Sequence, residues 1–400
     1  MLLRRFSRSL TWALPLALCA GLLLQPDAAA QAAKNGLLLC GNLIVPALFP
    51  FFILSSLLVS TGGAARFGRL LSGVMGIWFH QPGASASALV LGFLGGYPVG
   101  AKTVCTLYEE KLCDRTQAEH LLLFCNNAGP AFILGAAGSA VFHSAAIGFL
   151  LLAIQIFSAL LVGVLFRPAR GDTAPTQAPT NALRPFSRCL TESVQQAASA
   201  TVNVCAFVIF FNVVLRLLDC CGLFGLCRRL LAFCHCPDAW QLPLLSGVLE
   251  LSNGVALLSG TVDGLIPAAF LLSWGGCSVH CQTLTCLTQH DLNLRPYFLG
   301  KLFQGCVSAA LACLALRFLP LAQRTLNPTQ LPLEQPLTGA FGVPLAVSCW
   351  LVLGMWALDR WFSGKSTGKR SWPWSAQRPS QGGSSSRGLA QRLHRPIRPT

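Results

Sequence analysis

Apolar runs long enough to cross a bilayer recur along the chain, and polar or glycine-rich breaks interrupt some of them. A membrane helix needs about 20 consecutive apolar residues. Runs at 10–24, 36–60, 145–166, 197–218, 296–319 and 341–362 read as spans. Pro46 and Pro50 lie within 36–60 and predict a kink there, which membrane helices tolerate when neighbours re-satisfy the backbone. Four further apolar segments are interrupted. The first, 87–107, breaks at Gly95, Gly96, Pro98 and Gly100, and the second, 118–142, breaks at Asn126-Asn127-Ala-Gly129-Pro130. The third, 244–259, breaks at Glu250-Leu-Ser252-Asn253-Gly254, and the fourth, 265–287, breaks at Gly275-Gly276 and runs on to His280.

The order of these segments recurs. A span, a connector with paired arginines (Arg66 and Arg69, then Arg228 and Arg229), two broken segments and a clean span occur in each half. The first break moves from Gly92 to Gly247, 155 positions, and the second from Pro130 to His280, 150 positions. The sequence therefore predicts an all-α polytopic membrane protein with two structural repeats and interrupted, broken or re-entrant helices. Residues 1–35 form an N-terminal signal-anchor or signal peptide, 36–166 the first repeat, 167–190 a proline-rich linker and 191–320 the second repeat. Residues 321–362 are a loop and last span, and 363–400 a disordered basic cytoplasmic tail.

Composition fits this pattern. Charged residues make up 11% and hydrophobic residues 53% of 400, against roughly 25% charged in a soluble domain, and mean hydropathy is +0.58. An ordinary soluble enzyme is excluded. The net charge of +15 gathers at the ends, with Arg4, Arg5 and Arg8 at one and eight basic residues (Lys365, Lys369, Arg370, Arg378, Arg387, Arg392, Arg395, Arg398) at the other. Basic ends around apolar runs report membrane orientation. With no nucleic-acid recognition motif beside them, nucleic acid is not an expected partner. The expected partners are the lipid bilayer, anionic lipids at the tail and a small polar solute. Six spans return both termini to the cytoplasm if each pair of broken segments has no net crossing. That topology places the linker outside together with Arg167, Arg170, Arg184 and Arg188, against the basic-loop rule.

Eighteen cysteines lie mostly within apolar runs, where a thiol packs as a small hydrophobe. Cys234-His-Cys236 and Cys277-x-x-x-Cys281 lack the paired spacing of a zinc site. No metal or cofactor is expected. Neither a nucleophile elbow nor a phosphate loop is present, so no catalytic residue is assigned.

The breaks carry the candidate chemistry. Interrupted helices in matching places of two halves point to a transporter-like binding site. Asn126, Asn127, Glu250, Ser252, Asn253, His280 and Gln282 supply polar groups at these breaks, and Lys102 follows the first of them. The glycines also admit a packing role, the asparagines a role as interhelical glue, and Lys102 a place at the interface. Glu250 is the hardest to explain structurally, since an unpaired carboxylate in lipid costs about 3 kcal/mol.

The stretches Gly92-Phe-Leu-Gly-Gly-Tyr-Pro-Val-Gly-Ala-Lys102 and Ala118 to Pro130, with Leu249 to Gly254 and Gly275 to Gln282, resemble the sporulation integral membrane proteins of the YlbJ type. The resemblance spans roughly 35–320. These proteins group with the nucleoside-recognition, or Gate, domain proteins, which are similar to part of the concentrative nucleoside transporters. The resemblance implies endospore formation, a multi-pass protein of the bacterial cell membrane and a transporter-like core moving or sensing a solute such as a nucleoside. A non-transporting scaffold that organises partners at the forespore membrane is the alternative.

Overall fold

A computed structural model describes residues 13–169 and 185–318, less 14, 62, 259 and 261. The expected last span, the basic tail and most of the proline-rich linker lie outside the described residues. Among those residues the chain is helical and no strand occurs.

Helix α1 (Pro15–Leu24) leads into α2 (Pro26–Leu39), a π-turn at Cys40–Ile44 and α3 (Val45–Ser60). The boundary expected at residue 35 therefore falls inside α2, which runs on to Leu58 as one span-length element. Pro46 lacks an N–H, and its ring crowds the carbonyl four residues back. The helix meets this constraint by widening just before it. Next come α4 (Gly63–Trp78), α5 (Ala86–Gly95), α6 (Val99–Glu109) and α7 (Arg115–Phe124). A π-helix (Ala131–Val141) and α8 (Ala145–Leu165) complete the first half. The second half holds α9 (Phe186–Cys220), α10 (Leu223–Phe233), α11 (Asp238–Leu249) and α12 (Leu251–Ala256), followed by α13 (Leu265–Trp274), α14 (Gly276–Leu287) and α15 (Leu294–Phe318). Among the described residues, four elements are long and apolar enough to cross a membrane: α2–α3, α8, α9 and α15.

The long helices are apolar outside and polar inside. On α15, Leu299, Leu302, Leu314 and Phe318 are exposed while Lys301, Gln304 and Ser308 are fully buried. A soluble helix has the opposite pattern; a bilayer as solvent accounts for this one. Two cores form. One packs Ile44, Phe132, Ile133 and Leu151 against Val208, Val255, Leu265 and Leu271. The other packs Val104, Leu121, Phe124 and Val162 against Leu287, Tyr297 and Phe303. Each core draws on both halves, so the halves form one packed body.

The breaks fall close to where the sequence puts them, except that Gly100, expected in the first break, lies within α6. α5 ends at Gly95, Gly96 takes φ +71°, and α6 starts at Val99, folding back on α5. Gly96 also lies against the second break: a Cβ there would sit 2.7 Å from the Gly129 nitrogen. The third break is confined to Glu250, which is extended between α11 and α12. Gly254 was expected to be part of that break; instead it lies within α12, where a Cβ would come 2.2 Å from the Gly247 Cα. It is the close-packing point that lets α12 lie on α11. At the fourth break Gly275, between α13 and α14, and Gly276, the first residue of α14, both take positive φ.

Candidate functional site

Three of the four breaks border one cavity, and the helix that follows the fourth reaches it. The first supplies Gly95, Gly96 and Tyr97, the second Ala128 and Gly129, the third Glu250 and Ser252, and the helix after the fourth supplies Val279 and Gln282. Phe51, Phe52 and Phe132 add apolar walls. The cavity is small, about 50 Å³.

Glu250 sits at its edge, 1% exposed. An N-cap side chain accepts hydrogen bonds from the first free N–H groups of a helix. Glu250 does this for α12: Oε1 accepts from Ser252 N at 3.0 Å and Oε2 from Asn253 N at 2.6 Å. The Ser278 hydroxyl donates to Oε1 at 3.5 Å. The carboxylate is thus held by N–H dipoles and hydroxyls. No basic side chain is among these partners.

The other expected site residues divide. Ser252 and Gln282 line the cavity with Glu250. Asn253 instead reaches α9, donating from Nδ2 to Asn212 Oδ1 at 2.7 Å. Lys102 is exposed on α6. Asn126, Asn127 and His280 lie behind the cavity in a buried polar network. Asn126 Nδ2 donates to Thr283 Oγ1 at 3.0 Å and to the Tyr297 hydroxyl at 3.3 Å. His280 Nδ1 pairs with the same hydroxyl at 2.9 Å, and its ring packs against Trp274 and Phe298. Asn126 Oδ1 and His280 Nε2 are buried without a hydrogen-bond partner. Asn127 Nδ2 donates to Phe124 O at 2.6 Å. Its Oδ1 accepts from Gln304 Nε2 at 2.9 Å, Gln155 Nε2 at 3.3 Å and Lys301 Nζ at 3.3 Å. The network continues from Gln155 Oε1 to Ser273 (2.6 Å), Ser308 (2.6 Å) and Ser158 (2.7 Å), crossing α8, α13 and α15.

Lys301 is the residue that segment-level reading passes over. It lies within the run 296–319, which reads as a clean span, yet its side chain is fully buried. Its signal was available, because Lys301, Gln304 and Ser308 are spaced for one helix face and an ionisable residue at membrane depth is a functional candidate by default. Tyr97 was also missed as a site residue. Its ring lines the cavity, and its hydroxyl lies 3.3 Å from the carbonyl oxygens of both Leu272 and Ser273, at the end of α13. Among the described residues no cluster of three His, Cys, Asp or Glu side chains could hold a metal.

Comparison with known proteins agrees with this architecture. The Gate family model, described as nucleoside recognition, matches residues 43–166, from the end of the π-turn through α8. The sporulation integral membrane protein YlbJ of Bacillus subtilis (strain 168) is 31% identical over 325 residues, covering 74% of this chain and 80% of that protein. No solved structure matches. A helical body that is apolar outside and polar inside, with glycine breaks converging on one cavity, is a multi-pass membrane protein, and its sequence relationship is specific: the chain belongs to the family of YlbJ-type sporulation integral membrane proteins.

Proposed function

We propose that the two halves are structural repeats around a solute site, and that the protein moves or senses a small polar solute, such as a nucleoside, during endospore formation. One observation carries this reading: three helix breaks, two from the first half and one from the second, border the same cavity, α14 reaches it from the fourth, and Glu250 lines it. Broken backbone at membrane depth is tolerated where protein or a water-lined cavity surrounds it, and half-helix ends there offer N–H and carbonyl groups to a ligand. Aromatic walls at Phe51, Phe52, Tyr97 and Phe132 suit a flat ring. Glu250, Ser252 and Gln282 supply hydrogen bonds. The name of the Bacillus subtilis relative supports the sporulation context, and the Gate match supports nucleoside-like chemistry.

The cavity, about 50 Å³, is well below the ~300 Å³ of small ligand pockets. A nucleoside-sized solute therefore enters only when the Gly96–Tyr97 tip and the Glu250 break move apart. Movement of this kind is what a transporter or sensor needs.

Purified full-length protein tested against a metabolite panel by thermal shift checks the proposal. A saturable rise in melting temperature with one solute class is expected. No stabilisation by any polar solute, with Glu250→Gln behaving as wild type in a sporulation assay, overturns it. The scaffold reading has one observation in its favour: both Glu250 oxygens are already engaged by the α12 N-terminus. It expects every break-site substitution to affect function only as far as it lowers stability.

A further inference from the structure

Lys301 lies outside the residues that would hold the solute, and its surroundings define a different kind of site. Its Nζ is within hydrogen-bond distance of three oxygens: Asn126 O at 2.8 Å, Gln304 Oε1 at 2.7 Å and Asn127 Oδ1 at 3.3 Å. The amide orientations are fixed by the network. Asn127 Nδ2 is committed to Phe124 O, and Gln304 Nε2 to Asn127 Oδ1. All three oxygens therefore accept. An ammonium has three N–H donors, which matches them one for one; a neutral amine has two, and its lone pair would face the third oxygen. The Tyr97 ring face lies 5.2 Å from Nζ and adds a further electron-rich neighbour. No carboxylate is among the partners.

Neutral oxygens converging at a helix break, one of them a freed backbone carbonyl, are the ligands a hard monovalent cation takes at membrane depth. Here the cation is covalently attached. We propose that the break at Asn126–Asn127 is a monovalent-cation site that this chain fills permanently with its own Lys301 ammonium, so that the break is held together without an inorganic ion and the protein's stability and solute handling are independent of Na+. The inference stands whether or not the cavity binds a nucleoside.

Removing the tether tests this. Tryptophan-fluorescence melting of full-length protein in detergent is compared in chlorides of Na+, K+, methylammonium and N-methyl-D-glucamine at equal ionic strength. Wild type should melt at the same temperature in all four. Lys301→Ala should melt several degrees lower in N-methyl-D-glucamine and recover most of that loss in Na+ or methylammonium, because an ion that binds only the folded state stabilises it. Lys301→Met fills the space and should stay low in every salt. The proposal is overturned by a wild type that needs Na+, by a Lys301→Ala protein that no small cation rescues or that cannot be recovered even in methylammonium, or by Lys301→Met melting like wild type.

Discussion

The Lys301 Nζ lies 5.2 Å from the centre of the Tyr97 ring, so a single aromatic side chain contacts both the cavity and the buried network. Tyr97 comes from the α5–α6 tip of the first half and Lys301 from the last described helix of the second. The Tyr97 hydroxyl reaches the Leu272 and Ser273 carbonyls beside the Gly275 break. Tyr97→Phe keeps the ring and loses this contact, a net cost of ~1 kcal/mol, and its melting temperature should fall by a few degrees. Tyr97→Ala removes the ring as well and should cost ~3–5 kcal/mol, enough to reduce the folded fraction recovered from membranes. Equal melting temperatures for Tyr97→Phe and Tyr97→Ala would show that the ring contributes nothing between cavity and network.

Glu250→Gln should separate chemistry from stability. The amide oxygen still accepts from the start of α12, and one of the two backbone hydrogen bonds is lost because the amide nitrogen cannot accept. The expected loss of stability is ~1 kcal/mol. Function in a sporulation assay should be lost, because charge and shape at the cavity edge no longer act together. Glu250→Ala strands the N–H groups of Ser252 and Asn253 and should lose both function and ~1–3 kcal/mol. Full activity in Glu250→Gln would remove Glu250 from the site.

Gly254→Ala should be among the most damaging single-methyl changes in the protein. The added Cβ meets Gly247 backbone at 2.2 Å and 2.5 Å, where no side chain can swing away. Overpacking of this kind costs ~1–3 kcal/mol or more. Gly225, with open space around it, is the matched control on α10. Similar folded yields for Gly254→Ala and Gly225→Ala would show that α11 and α12 do not pack as described.

Cys113 lies in the polar loop between α6 and α7, outside the spans, and burial pushes its thiol up to about 12. The thiolate is the nucleophile, so Cys113 should resist iodoacetamide at pH 8 while exposed Cys220 and Cys221 are modified. The sign for stability follows from the raised value. Burial of the neutral thiol contributes fully below the unfolded pKa of ~8.5, and the contribution is lost as pH rises towards 12. Cys113→Ser should flatten that alkaline decline. Peptide mass spectrometry after labelling, with melting curves from pH 8 to 11, reads both outcomes.

The sequence alone determined the solvent and the breakpoints. Long apolar runs with 11% charge overall have nowhere to bury their surface except lipid. Glycine at Gly96 and Gly275, where φ must be positive, is a local requirement written in the residue type. Glu250 stood out for the same reason, since its cost in lipid depends on its chemistry more than on its neighbours. Tertiary structure decided which polar groups meet. Asn126 and Glu250 each read as a polar residue at a break. Only packing sends Glu250 to the cavity and Asn126 to Thr283 and Tyr297 behind it. Gly254 reads as part of a break and proves to be a helix contact, because its near neighbour is Gly247 across the α11–α12 turn. Lys301 was legible as an ionisable residue on one face with Gln304, but its other partners were not, because Asn126 and Asn127 are about 175 residues away. Side-chain convergence over such separations depends on how helices from both halves cross, and no local pattern encodes that.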